Sequence, residues 1–205
     1  MFSNIKNIIF DFDGVIIDSM GIRTDGFRDI FHKYDNELVE RLIAYHNENG
    51  GLSRFNKIKY FYNELLSQEI TDMKIEEYAT EFSNIMRQKL ISKDVLIMDT
   101  VGFIKENYTK FNMHIASGSE EKELQFLCNE LEISKYFKSI KGSPMHKNNL
   151  VKQIIEENNY KNEETVIIGD SINDFEAAEV NTIGFLGYNN LTLEGKGLGY
   201  IHKFK

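Results

Sequence analysis

Apolar residues change their spacing twice along the chain. The first run, Ile8-Ile9-Phe10, is short, continuous and rich in β-branched and aromatic residues, the signature of a buried strand. A second run, Val15-Ile16-Ile17, follows Gly14, where the backbone can turn sharply. From about Gly21 to Lys93 no strand-like run occurs, and spacings of three and four take over. The sets are Phe27, Ile30, Phe31 and Tyr34; Leu38, Leu42, Ile43 and His46; Phe55, Ile58, Phe61, Tyr62, Leu65 and Leu66; and Tyr78, Phe82, Ile85 and Met86. Each set lies on one helix face. Residues 20 to about 92 therefore read as a bundle of four helices. Asp35-Asn36 and Thr71-Asp72 serve as breaks or caps, and Asn49-Gly50-Gly51 is the most flexible turn.

Beyond Val101 the two periods alternate. Helices are predicted over 100–109, Glu120–Leu131, Lys147–Asn158 and Ile172–Ala178. Strands are predicted over Asn112–Ala116, Phe137–Lys141, Thr165–Gly169 and Thr182–Leu186, with an edge strand over Tyr200–Phe204. Alternation of this kind predicts an α/β fold, a parallel sheet with helices on both faces. Such sheets carry their sites at the carboxyl ends of the strands. The expected organisation is an α/β core of residues 1–19 and 93–205, interrupted by an all-helical cap over 20–92. That insertion point makes the cap a lid over the end of the first strand.

Composition narrows the function classes. The 205 residues carry 24 basic and 32 acidic side chains, a net charge of −8. That balance argues against a nucleic-acid binder, and an anionic substrate would need local positive charge. Cys128 is the single cysteine, so no internal disulfide forms, and its spacing with Leu124, Leu127 and Leu131 makes it a core residue. Asp11 and Asp13 interrupt the first apolar segment, so neither a secretory signal nor a membrane span is expected, which favours a cytoplasmic protein.

Chemistry concentrates where strands end. Asp11 and Asp13 follow the first strand, and two carboxylates so close raise one another's pKa or require a cation. A hard divalent cation such as magnesium relieves that repulsion. Ser117-Gly118-Ser119 follows the second strand at a predicted helix start, where a hydroxyl and backbone N–H groups make an anion site. Lys147 opens the next helix, and Gly169-Asp170-Ser171-Ile172-Asn173-Asp174 follows the fourth strand. On one rim this set suits phosphoryl transfer.

These motifs, Asp11-Phe12-Asp13-Gly14-Val15, Ser117-Gly118, Lys147 and Gly169-Asp170-Ser171 with Asp174, occur in the order of the haloacid dehalogenase superfamily. The chain resembles its branch with a helical insert cap, the phosphoglycolate phosphatase and β-phosphoglucomutase-like enzymes, over nearly its whole length. The resemblance implies a Rossmann-like core and a magnesium-dependent phosphatase acting on a small phosphorylated metabolite, a sugar phosphate first. Asp11 would be the nucleophile that becomes an aspartyl-phosphate. Asp13 would be the general acid and base. Magnesium would be held by Asp11, the Asp13 backbone carbonyl and Asp170, with Asp174 in support. Ser117 and the Gly118 N–H would hold the phosphoryl group, and Lys147 would neutralise charge. A carboxylate at Asp13 favours phosphate esters over dehalogenation. The mutases carry a histidine near the position of Arg23, so a sugar phosphomutase is the runner-up, ahead of a non-catalytic binding module.

Other readings compete at several positions. Lys141 is the alternative to Lys147. Asp174 can complete a capping box with Ser171, and Ser117 can be only a turn hydroxyl. Asp18-Ser19 reads as hinge or cap, and His146 lies beside Lys147 within possible reach of substrate. His32, His46 and His114 read as surface or packing residues. In the cap, Gly50-Gly51-Leu52-Ser53-Arg54 with Lys57 is the best substrate-selecting stretch, or else a plain interhelical turn with a solvated arginine. The expected partner is a small metabolite, with no nucleic acid or membrane, and the chain a monomer or dimer.

Overall fold

In the computed structural model, which describes residues 2–204, the chain builds six strands. They are β1 (Asn7–Phe10), β2 (Asn112–Glu120), β3 (Ser139–Ser143), β4 (Thr165–Gly169), β5 (Gly184–Tyr188) and β6 (Gly199–Ile201). All pairings are parallel, in the order β3-β2-β1-β4-β5-β6. The chain winds outward from β1 in one direction, then returns to β4 and winds in the other. The topological switch point, where α/β sheets open a crevice, therefore falls beside β1.

Four helices follow β1: α1 (Met20–Phe31), α2 (Asn36–Glu48), α3 (Arg54–Tyr60) and α4 (Asp72–Lys89). They account for the four helical patterns. α3 runs on into a π-helical turn over Phe61–Leu65. Asp35 and Thr71 cap α2 and α4 through their side chains, as their positions predict. The remaining helices are α5 (Met98–Asn107), α6 (Glu121–Glu130), α7 (Lys147–Asn158) and α8 (Ile172–Val180). No helix among the described residues is long and apolar enough to cross a membrane.

Alternation along the strands sorts the core into two layers. Ile8, Phe10, Ile115 and Ile168 pack with α5 and α6, while Ile9, Ala116 and Ile167 pack with α7 and α8. The first layer continues without a break into Phe27, Phe31, Ile58 and Phe82 of the helical region. Cys128 is buried in it, and burial pushes its thiol up.

Most predicted boundaries shift, α5 and β6 among them, and three of the shifts have a visible cause. β3 begins at Ser139 because a 3-10 turn over Ser134–Tyr136 occupies the approach. β5 begins at Gly184 because Thr182 takes a left-handed φ of 55° as the chain leaves α8. α6 begins at Glu121, with Glu120 as its cap accepting from the Lys122 and Glu123 N–H groups. Ser117 and Gly118 therefore sit on extended backbone at an irregularity of β2, not at a helix N-terminus.

The helical region joins the sheet through two adjacent connections. Ile17 bridges Leu96 in antiparallel fashion. The Asp18 N–H donates to the Val95 carbonyl at 2.8 Å, and the Ile97 N–H to the Ile16 carbonyl at 2.9 Å.

Candidate functional site

Strand register decides which side chains meet. Phe10 pairs with Ile115 of β2 and with Ile168 of β4. The residues just beyond each, Asp11, Ser117 and Asp170, therefore emerge on one rim. Asp11 is anchored there by its own N–H, which donates to the Ile168 carbonyl at 2.9 Å. Gly14 turns the chain at φ +75°, and a Cβ on it would sit 1.9 Å from the Asp170 carboxylate. Only glycine fits that position. Asn189 and Asn190, beyond β5, donate to the Gly14 and Asp170 carbonyls and tie the rim from the far side.

On this rim the carboxylates crowd. Asp11, Asp170 and Asp174 present oxygens that all lie within 4.8 Å of one another. Burial, then the Asp174 charge, pushes the Asp11 carboxyl up to about 7, against the pull of Lys147. Burial, then the Asp11 and Asp174 charges, pushes Asp170 up to about 8. Lys147 is buried with them and bonds Asp11 Oδ1 at 3.0 Å and Asp174 Oδ1 at 2.5 Å. Burial opposes its charge, yet the two carboxylates hold it above the usual lysine range. One lysine leaves two negative charges uncompensated, so a hard divalent cation fits this donor set. Asp174 is already committed: its Oδ2 accepts from the Ser171 N–H at 3.0 Å and hydroxyl at 2.6 Å. It completes a capping box and holds Lys147 at once. Asp11 and Asp170 are left as the carboxylates free to take a cation directly.

Asp13 points into a different network. Its Oδ1 accepts from Arg23 Nε at 2.5 Å and from the Ser19 hydroxyl, and its Oδ2 from the Ser119 hydroxyl at 2.6 Å. Burial works to raise this carboxyl, but Arg23 and the two hydroxyls hold it below the usual carboxylate range. Arg23 also donates to Glu123 at 3.1 Å, and Arg54 donates to the same carboxylate at 2.5 Å and to Ser83 at 2.6 Å. Glu123 on α6 is fully buried. It binds the helical region to the sheet through two arginines, one from α1 and one from α3. The Arg54 guanidinium lies over the Phe82 ring, 4.6 Å from its centroid.

Between rim and helices lies a cavity of about 30 Å³, lined by Asp11, Asp13, Arg23, His46, Arg54 and Lys57 among others. That is room for about two waters. Gly51 closes it against Gly118, where a Cβ would come within 2.5 Å of the Gly51 carbonyl oxygen. Ser117 and Gly118 line the cavity on the sheet side, and the Ser117 hydroxyl accepts from the Ser119 N–H at 3.1 Å.

The structure thus brings Asp11, Asp13, Ser117, Gly118, Lys147, Asp170 and Asp174 together, with Arg54 and Lys57 above them. Lys141 stands apart, paired with Glu157 at 2.7 Å. His146 is exposed and caps α7. Ser19 precedes α1, but its hydroxyl goes to Asp13. Arg23, Glu123 and His46 escaped sequence reasoning as site residues. The one available signal was Arg23's place where a histidine was sought.

Similar solved structures share the whole architecture. CbbY from Rhodobacter sphaeroides, in complex with xylulose-(1,5)bisphosphate, superposes with a TM-score of 0.79 at 15% identity over 98% of this chain and 95% of that one. A β-phosphoglucomutase from Clostridium difficile gives 0.77 at 17% identity over 97% and 91%. A predicted phosphoglycolate phosphatase from Haemophilus somnus gives 0.69 at 13% over 98% and 89%. At these identities the likeness is one of fold. No curated protein sequence matches the chain. The family of haloacid dehalogenase-like hydrolases matches residues 8–187, spanning the aspartate rim, the helical region and five strands, and the chain belongs to that family.

Proposed function

We propose that the chain is a magnesium-dependent phosphatase acting on a small phosphorylated metabolite, a sugar phosphate first, through a phosphorylated Asp11. One observation carries the reading. Asp11 lies between Lys147 and a carboxylate cluster that calls for a cation, while Asp13, two residues on, faces the cavity. Magnesium would be held by Asp11, Asp170 and the Asp13 backbone carbonyl, and when bound it draws charge from the phosphoryl oxygens. Residues 20–92 act as the cap over a core of 1–19 and 93–205.

The residues divide the work. Phe12 N–H, at 2.8 Å, and Lys147 both bond Asp11 Oδ1 and fix the carboxylate's orientation for attack. Asp11 forms a bond to phosphorus as the ester P–O bond breaks, and Asp13 delivers a proton to the departing oxygen. Asp13 then takes a proton from water, which attacks phosphorus, frees Asp11 and releases inorganic phosphate. The ionised state that Arg23 enforces on Asp13 suits this second step. An incoming phosphoryl dianion raises Asp13 and prepares it for the first. Ser117 and the Gly118 N–H hold the transferring oxygens. Arg54 and Lys57 choose among substrates.

The test is phosphate release from an aryl phosphate and a metabolite panel, with magnesium and with a chelator. Release is expected with magnesium only, and none from Asp11→Asn. No release from any ester, or unchanged release by Asp11→Asn, would overturn the reading. Isomerised sugar phosphate without free phosphate would turn it to a mutase.

A further inference from the structure

Among the described residues, four basic side chains are buried: Arg23, Arg54, Lys57 and Lys147. Three of them lie in ion pairs with carboxylates, but Lys57 has none. It is 3% exposed. Its nitrogen meets two acceptors, His46 Nδ1 at 2.8 Å and the Gly50 carbonyl at 3.4 Å. Two hydrogens satisfy both, so the surroundings suit a neutral amine, whose lone pair is then unspent. Burial, then the Arg23 charge, pushes Lys57 down to about 7, with Arg54 and Lys147 acting alike against the pull of Asp13. A lysine desolvated beside other cations is an activated nucleophile. Lys147 is its opposite: two carboxylates hold it protonated, and it offers no lone pair.

The potential that opposes a cation at Lys57 favours an anion there. Lys57 lines the cavity of about 30 Å³ over Asp11, which has room for about two waters. Carbon dioxide, linear, uncharged and triatomic, matches that space and reaches it by whatever path a substrate takes to Asp11. Arg23 lines the same cavity, and its Nη2 is buried without a hydrogen-bond partner. An unpaired buried donor is costly, and an oxygen anion on Lys57 would supply its acceptor.

We propose that Lys57 is a carbamylation site, where the amine adds carbon dioxide to give a carbamate facing Asp11. The nitrogen lone pair forms the N–C bond, one C=O electron pair moves onto oxygen, and one N–H proton leaves to solvent. Nothing is oxidised or reduced. The N–H that remains stays on His46, and the long bond to Gly50 is given up. The chemistry needs only the amine and carbon dioxide, so it is independent of the phosphatase reading. The test incubates the full chain and magnesium with ¹³C-bicarbonate above neutral pH. Carbon NMR is read for a carbamate carbonyl, and alkylation of the carbamate oxygen followed by peptide mass spectrometry locates it. The label is expected on Lys57 and lost in Lys57→Met and Lys57→Arg. The Tm is expected to rise in bicarbonate relative to chloride of equal ionic strength and pH, in the wild type only. The peptide map is read on the wild-type chain, so it does not depend on the variants folding. A map without label on Lys57 would overturn the site. A Tm rise that survives in Lys57→Arg would reduce the effect to bound bicarbonate and overturn it too.

Discussion

The two sides of the cavity bury opposite surpluses of charge. On the sheet side Asp11, Asp170 and Asp174 share a single cation, Lys147. On the helix side Arg23 and Arg54 pair with two carboxylates, Asp13 and Glu123, and Lys57 adds a buried amine that no carboxylate meets. Neither surplus serves stability, because like charges brought together out of water repel and lose hydration. A ligand of the opposite sign would relieve each. Burial acts to raise both Asp11 and Asp13, two positions apart in sequence; the Asp174 charge adds to the rise at Asp11, whereas Arg23 and two hydroxyls reverse it at Asp13.

The sharpest way to break the comparison is at the nucleophile. Asp11→Asn removes charge from the negative side and is expected to lower kcat/KM for an aryl phosphate by about 10³-fold or more. Steady-state kinetics with magnesium reads it. Next comes the shared carboxylate of the positive side. Glu123→Gln leaves two buried arginines short of a counter-charge and is expected to cost about 3–5 kcal/mol in urea unfolding.

Lys57 sharpens the comparison through pH. Burial, then the Arg23 charge, pushes Lys57 down to about 7, whereas in the unfolded chain it titrates near ~10.4. Between those values the unfolded chain binds a proton that the folded chain has released, so this group's contribution to stability rises with pH. Its destabilising effect is full below about 7 and gone above about 10. Lys57→Met is therefore expected to raise the Tm at pH 7, with the gain shrinking toward pH 10 in thermal scans. A smaller effect comes from the seam. Gly118→Ala puts a Cβ 2.5 Å from the Gly51 carbonyl and is expected to wedge the helices off the rim, lowering kcat/KM by about tenfold (~1.4 kcal/mol). Smallest is Lys141→Ala, which removes a surface pair with Glu157. It is expected to change stability by under about 1 kcal/mol and leave phosphate release within about twofold.

Much of this was legible in the chain itself, for reasons that differ by residue. β1 and β4 are buried on both faces, so they read as unbroken apolar runs, and whatever follows them must stand on the rim. That is why Asp11, Asp13, Asp170 and Asp174 could be named. β3 is a polar edge strand, Ser139–Ser143, and its bounds slipped accordingly. On the positive side Arg54 and Lys57 could be named, but their partners could not. Arg23 meets Glu123 across 100 residues and Arg54 meets it across 69, contacts that only tertiary packing creates. His46 and Lys57 come from two helices whose periodicity speaks of burial and says nothing of a shared proton.

The paired connections beneath the helices carry a further consequence. Asp18 and Val95 are hydrogen-bonded neighbours, so the chain enters the helical region and leaves it at one point. A segment whose two ends coincide can be exchanged as a cassette. A short turn spanning that gap would close the parallel sheet with Asp11, Lys147 and Asp170 in place. Helices grafted from a relative would bring their own selectivity to an unchanged rim.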